Sequence, residues 1–176
     1  MEGEMTFTQS LQERLRIIQP TRDLVEQIAQ EAQSFQLTPG ALELVQLLQK
    51  QGKTVYVISG GFEQLILPLT NSLGIPSSQV FANLLVFDEE GRYVSFEDRP
   101  TARSGGKLEV IRTIKQQSPS AGVVHIGDGA TDLEVKEEVD LFIGFGGNVT
   151  RDLVRDQADC FVKEFRTLHS ALLSSE

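Results

Sequence analysis

Three segments of this 176-residue chain set polar or acidic residues among glycines directly after an apolar run. They are Ser59-Gly60-Gly61 after Val55-Tyr56-Val57-Ile58, Gly127-Asp128-Gly129-Ala130-Thr131-Asp132 after residues 123–126, and Gly144-Phe145-Gly146-Gly147-Asn148 after residues 141–143. Ser59-Gly60-Gly61 reads either as a turn whose Ser caps the next helix or as a phosphate cradle. In a cradle, glycine lets the backbone approach an anion, the hydroxyl adds a donor and the following helix start supplies amides. Asp128 and Asp132 read either as an N-cap with an acidic first turn or as a Mg²⁺ site. Hard Mg²⁺ takes carboxylate oxygens, one or two of them from protein, and residues four apart share a helix face. Lys107, in Ser104-Gly105-Gly106-Lys107, falls in the first turn of a helix, where its charge opposes the macrodipole. Facing a phosphate would suit it better than facing solvent.

Two nucleotide-binding patterns fail on inspection. Ser104-Gly105-Gly106-Lys107 is followed by Leu108 and lacks the leading Gly of a Walker loop, having Thr101 there. Gly144-Phe145-Gly146 has Val149 where a dinucleotide fingerprint needs Gly or Ala. His125 falls within a strand and His169 within the last helix, so both are expected in core or surface roles. Cys160 has no His or basic neighbour in sequence and is expected to be a small buried hydrophobe.

Composition narrows the partners. Asp and Glu total 25 against 16 Lys and Arg, a formal charge of −9. Such a surface repels polyanions, so nucleic acid and anionic membrane are excluded as expected partners. The single Cys forms no internal disulfide, which points to a reducing cytoplasm. No apolar run approaches a membrane span, and the acidic Met1-Glu2-Gly3-Glu4-Met5 is unlike a signal peptide.

The elements that must position these residues follow from periodicity. Residues 8–32 read as two amphipathic helices, with Leu11, Leu15 and Ile18 on one stripe and Val25, Ile28 and Ala29 on the next, broken at Pro20-Thr21. Thr38-Pro39-Gly40 reads as a helix start, with Leu42, Leu44, Val45 and Leu48 facing inward and Gly52 ending the helix. Strands are expected at 54–58, covered on both faces, and at 80–87 and 93–96, the last two flanking Asp88-Glu89-Glu90-Gly91 as a hairpin. Further strands are expected at 123–126, 141–143 and 160–162. Helices are expected at 64–73, 106–117 and 132–139, after Thr150, and from Thr167. Alternation of this kind gives an α/β fold, a Rossmann-like parallel sheet with flanking helices, whose ligands sit beyond the carboxyl ends of the strands.

In order along the chain, Leu11-Gln12-Glu13-Arg14-Leu15, Leu37-Thr38-Pro39-Gly40, Val57-Ile58-Ser59-Gly60-Gly61-Phe62, Val80-Phe81-Ala82-Asn83, Ser104-Gly105-Gly106-Lys107, Ile126-Gly127-Asp128-Gly129-Ala130-Thr131-Asp132 and Phe142-Ile143-Gly144-Phe145-Gly146-Gly147-Asn148 resemble the haloacid dehalogenase-like hydrolases, and among them the phosphoserine phosphatase family. The resemblance implies Mg²⁺-dependent hydrolysis of a small phosphomonoester, O-phospho-L-serine, as in L-serine biosynthesis. It implies that Ser59, Gly60 and Gly61 hold phosphate and that Lys107 neutralises its charge and orients the nucleophile. Asp128 would ligate Mg²⁺ with Asp132 in support, and Thr131 would lie near the substrate. Arg14 would pair with the substrate carboxylate, and Met1 would line the pocket. A homodimer is compatible with it. Residues 1–33 would be the remnant of a helical cap and 34–176 the hydrolase core, with a hairpin flap at about 84–97.

The family's Asp-x-Asp-x-Ser/Thr nucleophile motif is absent from the sequence; the one Asp before Ser59 is Asp23, in a helical setting. The expectation is therefore an N-terminally truncated phosphatase that lacks its first central strand and has no turnover alone. Losing that strand would remove roughly 10 kcal/mol of apolar burial, comparable with a whole domain's net stability of about 5–15 kcal/mol. The alternatives are a phosphate- or serine-binding remnant without catalysis, and one part of a split enzyme.

Overall fold

The computed structural model describes residues 6–32 and 36–174. By its backbone contacts the chain divides into two compact units, Met1–Phe35 with Tyr56–Gly106, and Gln36–Val55 with Lys107–Glu176.

The first unit opens with two helices, α1 (Phe7–Ile18) and α2 (Arg22–Ala32). Thr6 caps α1 reciprocally with Gln9, satisfying two amides that the helix start leaves without partners. Gln19, at φ 45°, ends α1, and Pro20 stops it from continuing. Strand β1 (Val57–Phe62) runs parallel to β2 (Val80–Asn83), with α4 (Glu63–Ser72) as the crossover. The hairpin β3 (Leu85–Phe87) and β4 (Tyr93–Phe96) is antiparallel. Leu11, Leu15, Val25, Leu85 and Ala102 form the buried centre, and Phe7, Phe62, Leu65, Phe87, Tyr93 and Phe96 pack around it. The first two helices therefore share a core with the hairpin. Arg22 adds to that joint by donating to the Asp88 carbonyl (2.8 Å) and lying over the Phe87 ring.

The second unit holds α3 (Ala41–Lys50), α5 (Gly106–Gln117), β5 (Val124–Gly127), α6 (Ala130–Leu133), β6 (Leu141–Phe145), α7 (Asp152–Gln157), β7 (Cys160–Val162) and α8 (Phe165–Leu173). Its sheet is parallel in the order β5-β6-β7. Phe142, Val135 and Val154 are almost wholly buried, with Leu44, Val110, Ile111, Ile114, Ile143 and Phe145. Phe145 stacks on Phe165, which ties β6 to α8. Parallel strands with helical connections in both units give the α/β class expected from the alternation.

Several boundaries differ from the expected ones. Thr38-Pro39-Gly40 forms a turn before α3, because Gly40 adopts φ 84° and the helix begins at Ala41. On α3 only Leu44 is buried, while Leu42, Val45 and Leu48 are half-buried. β1 starts at Val57 and is half-buried throughout, because the ladder exists only where β2 lies beside it. The run 80–87 is two strands rather than one: β2 pairs with β1 and β3 with β4. The expected helix 132–139 is a single turn, α6, followed by a 3₁₀ turn at Lys136–Glu138. α8 starts two residues early, at Phe165. Cys160 is exposed, not buried, because it begins the short strand β7.

Candidate functional site

In the first unit the Ser59-Gly60-Gly61 segment lies inside β1 rather than after it. Val57 and Ile58 pair with Val80 and Phe81, but the next pair is Phe62 with Asn83. Four residue steps on β1 thus oppose two on β2, and Ser59, Gly60 and Gly61 bulge out of the ladder. Ser59 does not cap α4, whose N-cap is Phe62. Its Oγ instead accepts from the Gly61 N–H (3.0 Å). Gly60 lies against the Phe7 ring, where a Cβ would come within 2.9 Å of the ring tip. The Gly60 carbonyl accepts from Asn83 Nδ2 (2.9 Å), and Asn83 Oδ1 accepts from Thr101 Oγ1 (2.8 Å). Asn83 is completely buried, and the bond network is made of neutral groups. Beside it Arg99 donates to the Ala82 carbonyl (3.0 Å) and pairs with Glu63, the first residue of α4. Arg14 projects from α1 into solvent and donates to Ser10 Oγ (2.9 Å). Met1 lies outside the described residues.

In the second unit Lys107 and Asp132 come together. Lys107 Nζ donates to Asp132 Oδ1 at 2.6 Å, and His125 Nε2 stands 2.9 Å from the same oxygen. The Gly129 N–H donates to Oδ2 at 3.0 Å. Asp132 is 6% exposed. Burial alone would raise its carboxyl pKa, but the His125 hydrogen bond and the Lys107 charge hold it well below the usual carboxylate range. The bond to Asp132 also answers the expected cost of a Lys in a first helical turn: the carboxylate supplies the countercharge. Gly127 is required for this arrangement, since a Cβ there would meet Asp132 Cβ at 2.3 Å. His125 takes the core position expected of it, stacked on Phe142 (5.8 Å between centroids), and is also a partner of Asp132. Nothing in its spacing revealed that second role.

Asp128 is not a helix cap, a place that Gly129 takes. It stands exposed at the end of β5, where Arg151 donates to its Oδ2 (2.5 Å) and to its carbonyl (2.7 Å). Thr131 is half-buried in the first turn of α6. Among the described residues no three His, Cys, Asp or Glu side chains cluster tightly enough to hold a metal ion alone. The donor chemistry still fits Mg²⁺, which completes its octahedron with water and substrate oxygens and needs one or two protein carboxylates. Asp128 is half-exposed and shares its Oδ2 with Arg151, which leaves Oδ1 as its offer to a cation, whereas both oxygens of Asp132 are committed to His125, Lys107 and Gly129.

The third glycine-rich strand end holds no comparable chemistry. Cβ atoms at Gly144 and Gly146 would strike the Phe161 ring at 2.8 and 2.3 Å, and one at Gly147 would strike the Phe145 ring at 2.4 Å. These glycines make room for aromatic packing, which agrees with the failed dinucleotide fingerprint. Asn83, Thr101 and Arg151 carried no chemical assignment from sequence. Asn83 does close the conspicuous Val80-Phe81-Ala82-Asn83 string, the one signal that could have pointed to it.

Comparison with known proteins bears on this geometry. Residues 3–136 match the family described as haloacid dehalogenase-like hydrolase. The chain is 43% identical to the phosphoserine phosphatase of Bos taurus over 173 residues, which cover 98% of this chain and 76% of that protein. It is 47% identical to the phosphoserine phosphatase of Drosophila melanogaster, over 96% of this chain and 63% of that protein. Among solved structures, a phosphoserine phosphohydrolase-like protein from Francisella tularensis superposes with a TM-score of 0.85 at 28% identity, covering 98% of this chain and 80% of that one.

Proposed function

The chain belongs to the phosphoserine phosphatase family of haloacid dehalogenase-like hydrolases, and from that premise we propose that it carries the phosphate-holding and Mg²⁺-binding groups for hydrolysis of O-phospho-L-serine to L-serine and phosphate. The observation that carries this reading is the buried Lys107–Asp132 pair beside Asp128, at the end of a parallel strand where such a family places its charged groups. Each residue takes a separate role. The Ser59 hydroxyl and the Gly60 and Gly61 backbone hold phosphate. Lys107 neutralises negative charge, and Asp132 keeps its ammonium group in place. Asp128 offers an oxygen to Mg²⁺, which would supply charge neutralisation at the phosphate. Thr131 lies near the substrate, and Arg14, exposed on α1, pairs with the substrate carboxylate. Met1 is the remaining substrate-binding residue of this proposal. Residues 1–33, to which α1 and α2 belong, are proposed as the cap remnant and residues 34–176 as the core, with 84–97 as a flap. A reducing cytoplasm suits the single Cys, a homodimer is compatible with this reading, and among the described residues no helix is long and apolar enough to cross a membrane.

The sequence contains no Asp-x-Asp-x-Ser/Thr, so no carboxylate is assigned as nucleophile, and the chain alone is proposed not to turn over. The test is phosphate release from O-phospho-L-serine with Mg²⁺ by the purified chain, without and with an added segment bearing that motif. No release alone and release on addition is the expected result. Release by the chain alone overturns the inactivity, and no release in either case favours the binding-only reading.

A further inference from the structure

We propose that Asn83 is a positioning residue that fixes the Ser59 hydroxyl through the Gly60–Gly61 peptide plane. This rests on the reading of Ser59-Gly60-Gly61 as a phosphate cradle and deepens it. A bulge removed from its ladder loses the hydrogen bonds that would orient its peptides, and glycines permit many orientations. Something outside the bulge must select one. Asn83 Nδ2 donates to the Gly60 carbonyl at 2.9 Å and holds that oxygen inward. The Gly60 carbonyl and the Gly61 N–H belong to one planar trans peptide, so they point in opposite directions. Anchoring the first aims the second, and the Gly61 N–H meets Ser59 Oγ at 3.0 Å. With that lone pair engaged, the Ser59 O–H is left to donate elsewhere, as holding a phosphate oxygen requires.

Asn83 is itself held in register. Its amide could be reversed only by setting Oδ1 against the Gly60 carbonyl. Thr101 prevents this from two sides: its Oγ1 donates to Oδ1 at 2.8 Å, and its carbonyl stands 3.4 Å from Nδ2. Asn83 is 0% exposed and Thr101 5%, so no solvent competes for these bonds. The chain of control runs Thr101, Asn83, Gly60, Gly61, Ser59, and every member lies within the first unit.

The experiment compares the full chain with Asn83→Ala and with Thr101→Val, which keeps side-chain shape and removes one donor. Two readouts on assigned backbone amides separate the claims. The first, without ligand, is hydrogen exchange at Gly61. Both variants are expected to lose at least about tenfold protection there while core amides such as those of β5 and β6 keep theirs. Unchanged Gly61 protection in a folded variant overturns the proposal. The second is titration with inorganic phosphate followed at Gly60 and Gly61. The parent chain is expected to shift saturably and the variants to bind roughly tenfold more weakly, the loss of one hydrogen bond to a charged group. Equal affinity in a folded variant also overturns it. A parent chain that binds no phosphate at these amides instead overturns the cradle reading, and the exchange result still decides the positioning.

Discussion

The bulge of Ser59-Gly60-Gly61 and the loop of Gly127 to Asp132 arise from the same kind of sequence, an apolar strand ending in glycines and small polar residues, yet they are held in opposite ways. The first is fixed by neutral hydrogen bonds from a buried amide and a buried hydroxyl. The second is fixed by charge, with one carboxylate shared between an ammonium and an imidazole. Neutral bonds set a direction for a backbone group. The charged pair sets a protonation state as well as a direction, and it leaves a full charge inside the fold if either partner is lost.

The widest gap between the two should come from removing the anchors. Asp132→Ala leaves Lys107 and His125 facing no anion and is expected to destabilise the chain by about 3–5 kcal/mol in urea unfolding. Asn83→Ala leaves neutral groups without partners and is expected to cost about 1–3 kcal/mol. Equal losses would remove the distinction. Glycine tolerance comes next. Gly127→Ala sets a Cβ against Asp132 and should cost about 1–3 kcal/mol. Gly60→Ala meets only the tip of the Phe7 ring, which can turn aside, and should cost less in the same measurement.

Acid sharpens the contrast further. The folded Asp132 carboxyl is held below its unfolded value of roughly 3.9. Its contribution is therefore complete above that value and is lost as pH falls through the lower, folded one. The stability gap between the parent chain and Asp132→Asn should stay constant from neutral pH to about pH 5 and narrow below about pH 4. The gap to Thr101→Val should stay flat, because that network has no titrating member. Urea midpoints measured from pH 3 to 7 would settle both. The smallest effect belongs to Arg151→Ala, which breaks a half-exposed pair with Asp128. It is expected to shift stability by less than about 1 kcal/mol, and a larger loss would move Asp128 into the structural network.

Periodicity located nearly every element, and α5 and β7 fall on their expected residues. The misplaced boundaries share a cause. β1 begins where β2 reaches it, and 80–87 divides because its two halves have different partners. A ladder is a property of two segments, so the run of one cannot reveal its limits. Cys160 follows the same logic, since its exposure depends on where β7 begins and ends.

Residue types and spacing by themselves pointed to the α/β class and the acidic balance, the ordered motifs carried the resemblance to the family, and Ser59, Lys107, Asp128 and Asp132 stood out as candidate positions for chemistry. Those features are local, written in residue identity and short intervals. The tertiary structure alone decided that Asp132 lies against Lys107 and His125, that Arg151 reaches Asp128, and that Asn83, backed by Thr101, bonds the Gly60 carbonyl. Such assignments depend on which atoms compete for one oxygen within about 3 Å, and that competition exists only once distant segments have been packed together.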